Sequence, residues 1–247
     1  MRIHTIIHAP FEQPGVIESW AHNQGYDLSA THTYKDEKLP DASLIDFLIV
    51  MGGPQSPLQL DKYPYLRNEI TLTKQMIDQN KAVLGICLGA QIISESLGAK
   101  TERSPHREIG VYPIQLTKDG EHDPVFKNFP QSFDVMHWHN DMPGLPEGRA
   151  LLAYSEGCPR QVIRYNDRVY GLQCHLEMTT ELVKGMTEHC GDDLKPGQFV
   201  QEYKSLLASD MSEINKKMVV ILDYLASLIK QTRSFESAAF KTHADQE

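Results

Sequence analysis

A chain of 247 residues with 40% hydrophobic content can bury one substantial core, so one domain with an appendage is the expectation. Its formal net charge of −9 argues against a nucleic-acid-binding surface, and no stretch is long and apolar enough to span a membrane. Four cysteines in this length do not make a disulfide framework, and the N-terminal Met1 to His8 lacks the apolar core and cleavage site of a signal peptide, so a reduced, cytoplasmic protein is expected.

Strand-like runs at 2–8, 26–32 and 44–51 alternate with helical patterns at about 14–24 and 64–79. This βα alternation predicts a parallel sheet with helices on both faces. Glu12 and Gln13, in the loop after the first strand, read as solvated, with a place at a pocket border as the alternative. Gly52-Gly53 is not a phosphate loop, because no Gly-Lys-[Ser/Thr] follows. No nucleotide-binding signature appears elsewhere, so the chain is not expected to activate an acceptor with ATP.

Ala82-Val83-Leu84-Gly85-Ile86 reads as a buried strand, and Gly89 to Leu97 as a helix with Gly98 as its stop. Cys87 falls at the turn between them, in the G-x-[Ser/Cys]-x-G pattern of a nucleophile elbow. Small residues at 85 and 89 let strand and helix backbones approach closely. The positive end of a helix favours a thiolate, and the backbone N–H of Leu88 would face an oxyanion at an attacked carbonyl. A buried structural cysteine is the alternative. It is disfavoured because motif and predicted context agree.

Short segments near 109–116, 132–139, 149–154, 160–165 and 168–175 suggest antiparallel strands attached to the parallel sheet. His137, His139 and Asp141 alternate on one face. No further cluster with ligand spacing accompanies them, so strand histidines plus a pocket carboxylate are favoured over a metal site. Val169 to His175 alternates like a strand, and His175 and Glu177 share a face if the strand continues that far. A carboxylate beside an imidazole fixes its tautomer and stabilises the imidazolium. Alone, His-x-Glu reads better as a surface ion pair. Beside the elbow it completes a nucleophile, a base and an orienting group for thiol-based acyl transfer. Cys158 and Cys190 carry no motif and read as structural or incidental.

From Pro196 onward, Phe199, Val200, Tyr203, Leu206 and Leu207 fit one helix, and Met218, Ile221, Leu222, Leu225, Leu228 and Ile229 another. Core packing is their favoured role, with a homo-oligomer or partner surface as the alternative. Residues 232–247 have little periodicity and read as a frayed tail. The division expected is 1–190 for the α/β domain and 191–247 for a C-terminal helical extension and tail.

The Cys87 and His175–Glu177 segments resemble those of the class I (triad-type) glutamine amidotransferase family. Met51-Gly52-Gly53-Pro54, Glu108-Ile109-Gly110, His137-Trp138-His139-Asn140-Asp141 and Gln161 extend the match from about Met1 to about His189, nearest to free-standing GMP-synthase-like members. The resemblance implies a flavodoxin-like fold, an open and mostly parallel sheet with an added antiparallel region and C-terminal helices. It implies that Cys87 attacks the glutamine amide to give a γ-glutamyl thioester and ammonia. His175 would be base and then acid, Glu177 its partner, and Gly53 and Leu88 the oxyanion donors. Gln91 and Asp141 would contact the substrate, and no cofactor is needed. The family's usual Phe-His-Pro-Glu is Cys174-His175-Leu176-Glu177 here. Cys174 should fill core space opposite His175, and Leu176 removes a proline's restriction on the backbone.

Hydrolysis of glutamine, with ammonia passed to an acceptor synthase, is the leading expectation. A γ-glutamyl peptidase acting on γ-glutamyl conjugates is the second, since both reactions share the thioester. A non-catalytic or partner-gated regulatory subunit is the third.

Overall fold

In the computed structural model, which describes the backbone of residues 1–244 and the side chains of residues 1–232, strand and helix alternate at the start of the chain. β1 (Arg2–Ile7), α1 (Val16–Asn23), β2 (Asp27–His32), β3 (Phe47–Val50), α2 (Leu66–Asp78), β4 (Ala82–Ile86) and α3 (Leu88–Ser96) follow in order. β1 pairs in parallel with β2 and β3, and β3 with β4. β3 and β4 are buried at every position because layers cover both faces of the sheet. Phe47, Ile49, Leu84 and Ile86 enter one layer with Ile17 and Trp20 of α1. Leu48, Val50 and Val83 enter the other with Leu72 and Met76 of α2 and Ile92 of α3.

The middle of the chain supplies β5 (Glu102–Leu116), α4 (Lys118–His122), β6 (Ser132–Met142), β7 (Ala150–Tyr154), β8 (Val162–Asn166) and β9 (Val169–Leu172). β5 pairs antiparallel with β6 and β7, β7 with β8, and β8 with β9, while β9 rejoins β4 in parallel. After these come α5 (Thr180–His189), β10 (Phe199–Val200), α6 (Tyr203–Leu207) and α7 (Ser212–Ala244). The sheet order is β10-β5-β7-β8-β9-β4-β3-β1-β2, with β6 added on β5. This is the expected open, mostly parallel, flavodoxin-like sheet with an antiparallel region attached. Among the described residues no helix is long and apolar enough to cross a membrane.

Two expectations for the C-terminal part need correction. Phe199-Val200 is a short strand parallel to Glu108-Ile109 of β5, and only Tyr203–Leu207 is helical. The Phe199 ring stands edge-on to His106 and Tyr112, so a tertiary site on the sheet edge outweighs the local helical spacing. The expected tail from Thr232 instead continues α7 to Ala244. Residues 245–247 of that tail lie outside the described residues. Met218, Ile221, Leu222, Leu225 and Ile229 are buried in the layer that holds Trp20, and the Trp20 indole N–H donates to Asp223 Oδ1 at 2.8 Å.

Candidate active site

β4 runs straight into Cys87, whose φ of 52° and ψ of −106° turn the chain into α3. The turn is pinned by the Cys87 N–H donating to the Leu172 carbonyl at 2.7 Å. A Cβ on Gly85 would run into the Gly89 backbone, and one on Gly89 into the Val50 carbonyl. The two glycines therefore serve close approach, as the elbow pattern predicts. The Cys87 thiol is buried, and its Sγ lies 3.7 Å from the Trp138 carbonyl.

His175 reaches the elbow by a different route from the one expected. β9 ends at Leu172, so strand alternation does not set the His175–Glu177 geometry. A single antiparallel bridge holds His175 to Met136 of β6, with its N–H 2.7 Å from the Met136 carbonyl and the return bond at 3.1 Å. Glu177 then turns back on the ring. Its Oε1 lies 2.7 Å from His175 Nδ1, and its Oε2 accepts from the Leu176 N–H at 3.0 Å. Both side chains are buried. Burial works against the imidazolium, but Glu177 and Cys87 outweigh it and raise the His175 pKa well above its ordinary value. Nε2, the remaining ring nitrogen, makes no hydrogen bond among the described residues. A Cβ on Gly52 would sit 3.1 Å from His175 Cε1 and 3.5 Å from Cys87 Cβ, which shows how closely loop, imidazole and thiol are packed. Cys174 and Leu176, on either side of the histidine, fill the core.

Cys87 opens on a cavity of about 240 Å³ that is also lined by Gly53, Leu88, Gln91 and Asp141. The Gly53 and Leu88 N–H groups donate to no acceptor among the described residues. Gln91 donates to Gln173 Oε1 at 3.1 Å, and its own Oε1 is buried without a partner among the described residues. Asp141 is held by Ser56 Oγ and by Arg103, each at 2.6 Å. Glu12, read as a solvated loop residue, is buried beside His175 and lines this cavity. Burial pushes its carboxyl up to about 7 against the pull of His175 and His8. Its loop composition carries no signal of this, because only the fold brings the β1 loop onto the His175 segment. Cys190 also lines the cavity, and burial pushes its thiol up to about 11, which keeps it protonated at neutral pH.

The histidines of β6 have a partner that their spacing did not reveal. His137 and His139 converge on Glu108 of β5, and the ligand-type atoms of all three buried residues lie within 4.8 Å of one another. Asp141 stands outside this group, with Ser56 and Arg103. Glu108, His137 and His139 are the described residues that come nearest to a metal-ligand set. They are joined by the Gln161 amide nitrogen, 2.7 Å from Glu108 Oε2, 3.3 Å from His137 Nδ1 and 3.2 Å from His139 Nε2. Ser155 adds a bond to Glu108 at 2.9 Å. Burial would raise the Glu108 carboxyl, but hydrogen bonds from His139 and Ser155 hold it below the usual range. Burial also depresses His137 to about 3, so that ring is neutral at ordinary pH.

Residues 20–187 match the model of the family described as glutamine amidotransferase class-I. The glutamine amidotransferase-like protein YfeJ of Salmonella typhimurium is 42% identical over 232 residues, covering 91% of this chain and 97% of that protein. The GMP synthase [glutamine-hydrolyzing] of Thermosipho africanus is 37% identical over 134 residues, 53% of this chain but 24% of that protein. The crystal structure of a glutamine amidotransferase from Thermotoga maritima is 27% identical, with a TM-score of 0.81 over 93% of this chain and 97% of that one. Matched in sequence across its α/β body and folded in the same way, this chain belongs to the class I glutamine amidotransferase family.

Proposed function

We propose that the chain hydrolyses the side-chain amide of glutamine through a γ-glutamyl thioester on Cys87. One observation carries the reading. A cysteine held at positive φ on a strand-to-helix turn shares a buried site with an imidazole whose far nitrogen is fixed by a carboxylate. His175 Nε2 takes the thiol proton, and Cys87 Sγ attacks the amide carbon. The tetrahedral oxyanion forms between the Gly53 and Leu88 N–H groups, both unspent in the free site. The C–N bond breaks as His175 returns its proton to nitrogen, and ammonia leaves. Water, deprotonated by His175, then attacks the thioester carbon. The thiol is released with the proton from His175, and glutamate departs. Glu177 orients the His175 ring and stabilises the imidazolium in both halves. No step requires a metal or cofactor.

Gln91 offers its free Oε1, and Asp141 a fixed carboxylate, to the α-amino end of the substrate. The ammonia goes on to an acceptor synthase. Similarity to GMP synthases, whose name includes glutamine hydrolysis, supports that direction. Release of glutamate and ammonia from glutamine by the purified chain tests the reading, with Cys87→Ala alongside. Release by the wild type and none by the variant is expected. Full activity of Cys87→Ala would sink the proposal.

A further inference from the structure

Beyond the triad, one buried ion pair touches the loop that carries an oxyanion donor. His8, the residue after β1, and Glu69, on α2, are both fully buried, with His8 Nε2 2.7 Å from Glu69 Oε2. The other ring nitrogen, Nδ1, lies 3.0 Å from the Gly52 carbonyl. A carbonyl only accepts, so Nδ1 carries a proton and donates it.

Gly52 and Gly53 are joined by a trans peptide, as are all the described residues. In a trans peptide the carbonyl and the next N–H point in opposite directions. Holding the Gly52 carbonyl on the His8 side therefore turns the Gly53 N–H to the opposite side. Gly53 lines the cavity with Cys87 and Leu88, whereas His8 is sealed beneath the loop. Two successive glycines bring no side chain that could fix this peptide by packing. The loop is jammed against His8 all the same, since a Cβ on Gly53 would lie 2.5 Å from the His8 Cβ. Gln55, further along the loop, donates to the His8 carbonyl at 3.0 Å.

Stability does not explain the pair. Two charges buried together are commonly matched or bettered by apolar groups of the same shape. Here Glu69 Oε1 is also buried with no hydrogen-bond partner among the described residues, which adds to the cost. We propose that His8, braced by Glu69, is a positioning residue for the oxyanion hole: it holds the Gly52–Gly53 peptide with its N–H on the cavity. The hole is then formed without an outside partner to order the loop. This inference rests on the Cys87 reading given above.

Two double variants separate position from packing. His8→Leu with Glu69→Met replaces the pair by apolar groups and removes the donor. His8→Asn with Glu69→Gln removes the charges but keeps a donor at the δ position. Three quantities are read on each: turnover of glutamine, affinity for glutamate γ-semialdehyde as a hemithioacetal on Cys87, and the rate of Cys87 alkylation by iodoacetamide. Alkylation needs the thiolate but no oxyanion hole. The apolar variant should keep its melting temperature and its alkylation rate within about twofold. Its kcat and aldehyde affinity should fall about 100-fold, the scale of one lost oxyanion donor, with KM little changed. The amide variant should recover at least about tenfold of that loss. Turnover and aldehyde affinity of the apolar variant within about threefold of wild type would overturn the inference. So would a wild-type chain that is alkylated at Cys87 yet neither turns over nor captures the aldehyde, because a hole held by His8 needs no partner. Glutamine turnover that survives in Cys87→Ala would instead overturn the underlying reading, and the two failures are thereby distinct.

Discussion

Glu177 uses both carboxylate oxygens, one on the His175 ring and one on the Leu176 N–H. Glutamine at this position offers one oxygen for two donors, so one of the two bonds is lost. Glu177→Gln should lower kcat for glutamine hydrolysis about 100-fold while Cys87→Ala abolishes it, because proton transfer from a positioned base is worth about 10²–10⁴-fold. Equal losses in the two variants would remove the orienting role from Glu177. Glu12 makes a second case at this scale. Its folded pKa, about 7, lies above the ordinary 4.5. The contribution of its protonated form to stability is thus fully present below about 4.5 and lost as pH rises through about 7. Glu12→Gln should then stabilise the chain at pH 8, by on the order of 3 kcal/mol. The gain should shrink as pH falls through 7 and vanish near pH 4, which thermal unfolding at several pH values would read. A gain that did not change with pH would rule out this titration.

At the scale of elements, the elbow stores strain at the proposed nucleophile. Cys87 sits at φ 52° and ψ −106°, a region that side chains with a Cβ rarely occupy. Glycine relaxes that strain and alanine does not. Cys87→Gly should therefore be more stable than Cys87→Ala by about 1 kcal/mol, measured by urea unfolding. The reverse order would mean that the turn is unstrained. The elbow was legible in the sequence because its parts are local: an apolar run, a glycine on each side of the cysteine and a helical pattern beyond. The β9 end was not. Val169 to His175 alternates correctly, yet the ladder stops at Leu172 and His175 pairs with β6 instead. Alternation reports which face a residue takes and says nothing about where its partner strand ends.

For the whole molecule, the C-terminal helix supports the segment that carries His175 and Glu177. Asn215 of α7 donates to the Leu176 and Met178 carbonyls, at 2.8 and 3.0 Å, and so holds the chain on both sides of Glu177. The Val16 N–H at the start of α1 donates to the Glu177 carbonyl at 3.0 Å. Asn215→Ala leaves those two carbonyls without this donor. It should cost about 1–2 kcal/mol in unfolding free energy and several-fold in kcat. Unchanged kcat would show that the segment is held well enough without α7.

The sequence by itself determined the alternating α/β order, the elbow at Cys87, the His-x-Glu pair and the glycine loop at 52–53. Each is a pattern of neighbours, set by spacing and backbone sterics along a few residues. Only the tertiary structure decided the rest. It brought Glu12 from a loop onto His175, Glu108 onto the β6 histidines, His8 and Glu69 under the Gly52 carbonyl, and Asn215 onto the Glu177 segment. Such contacts join residues far apart in the chain, and they form because the sheet must cover both faces with helices. Which polar groups meet beneath that cover depends on strand order and register, and no local window of sequence carries either.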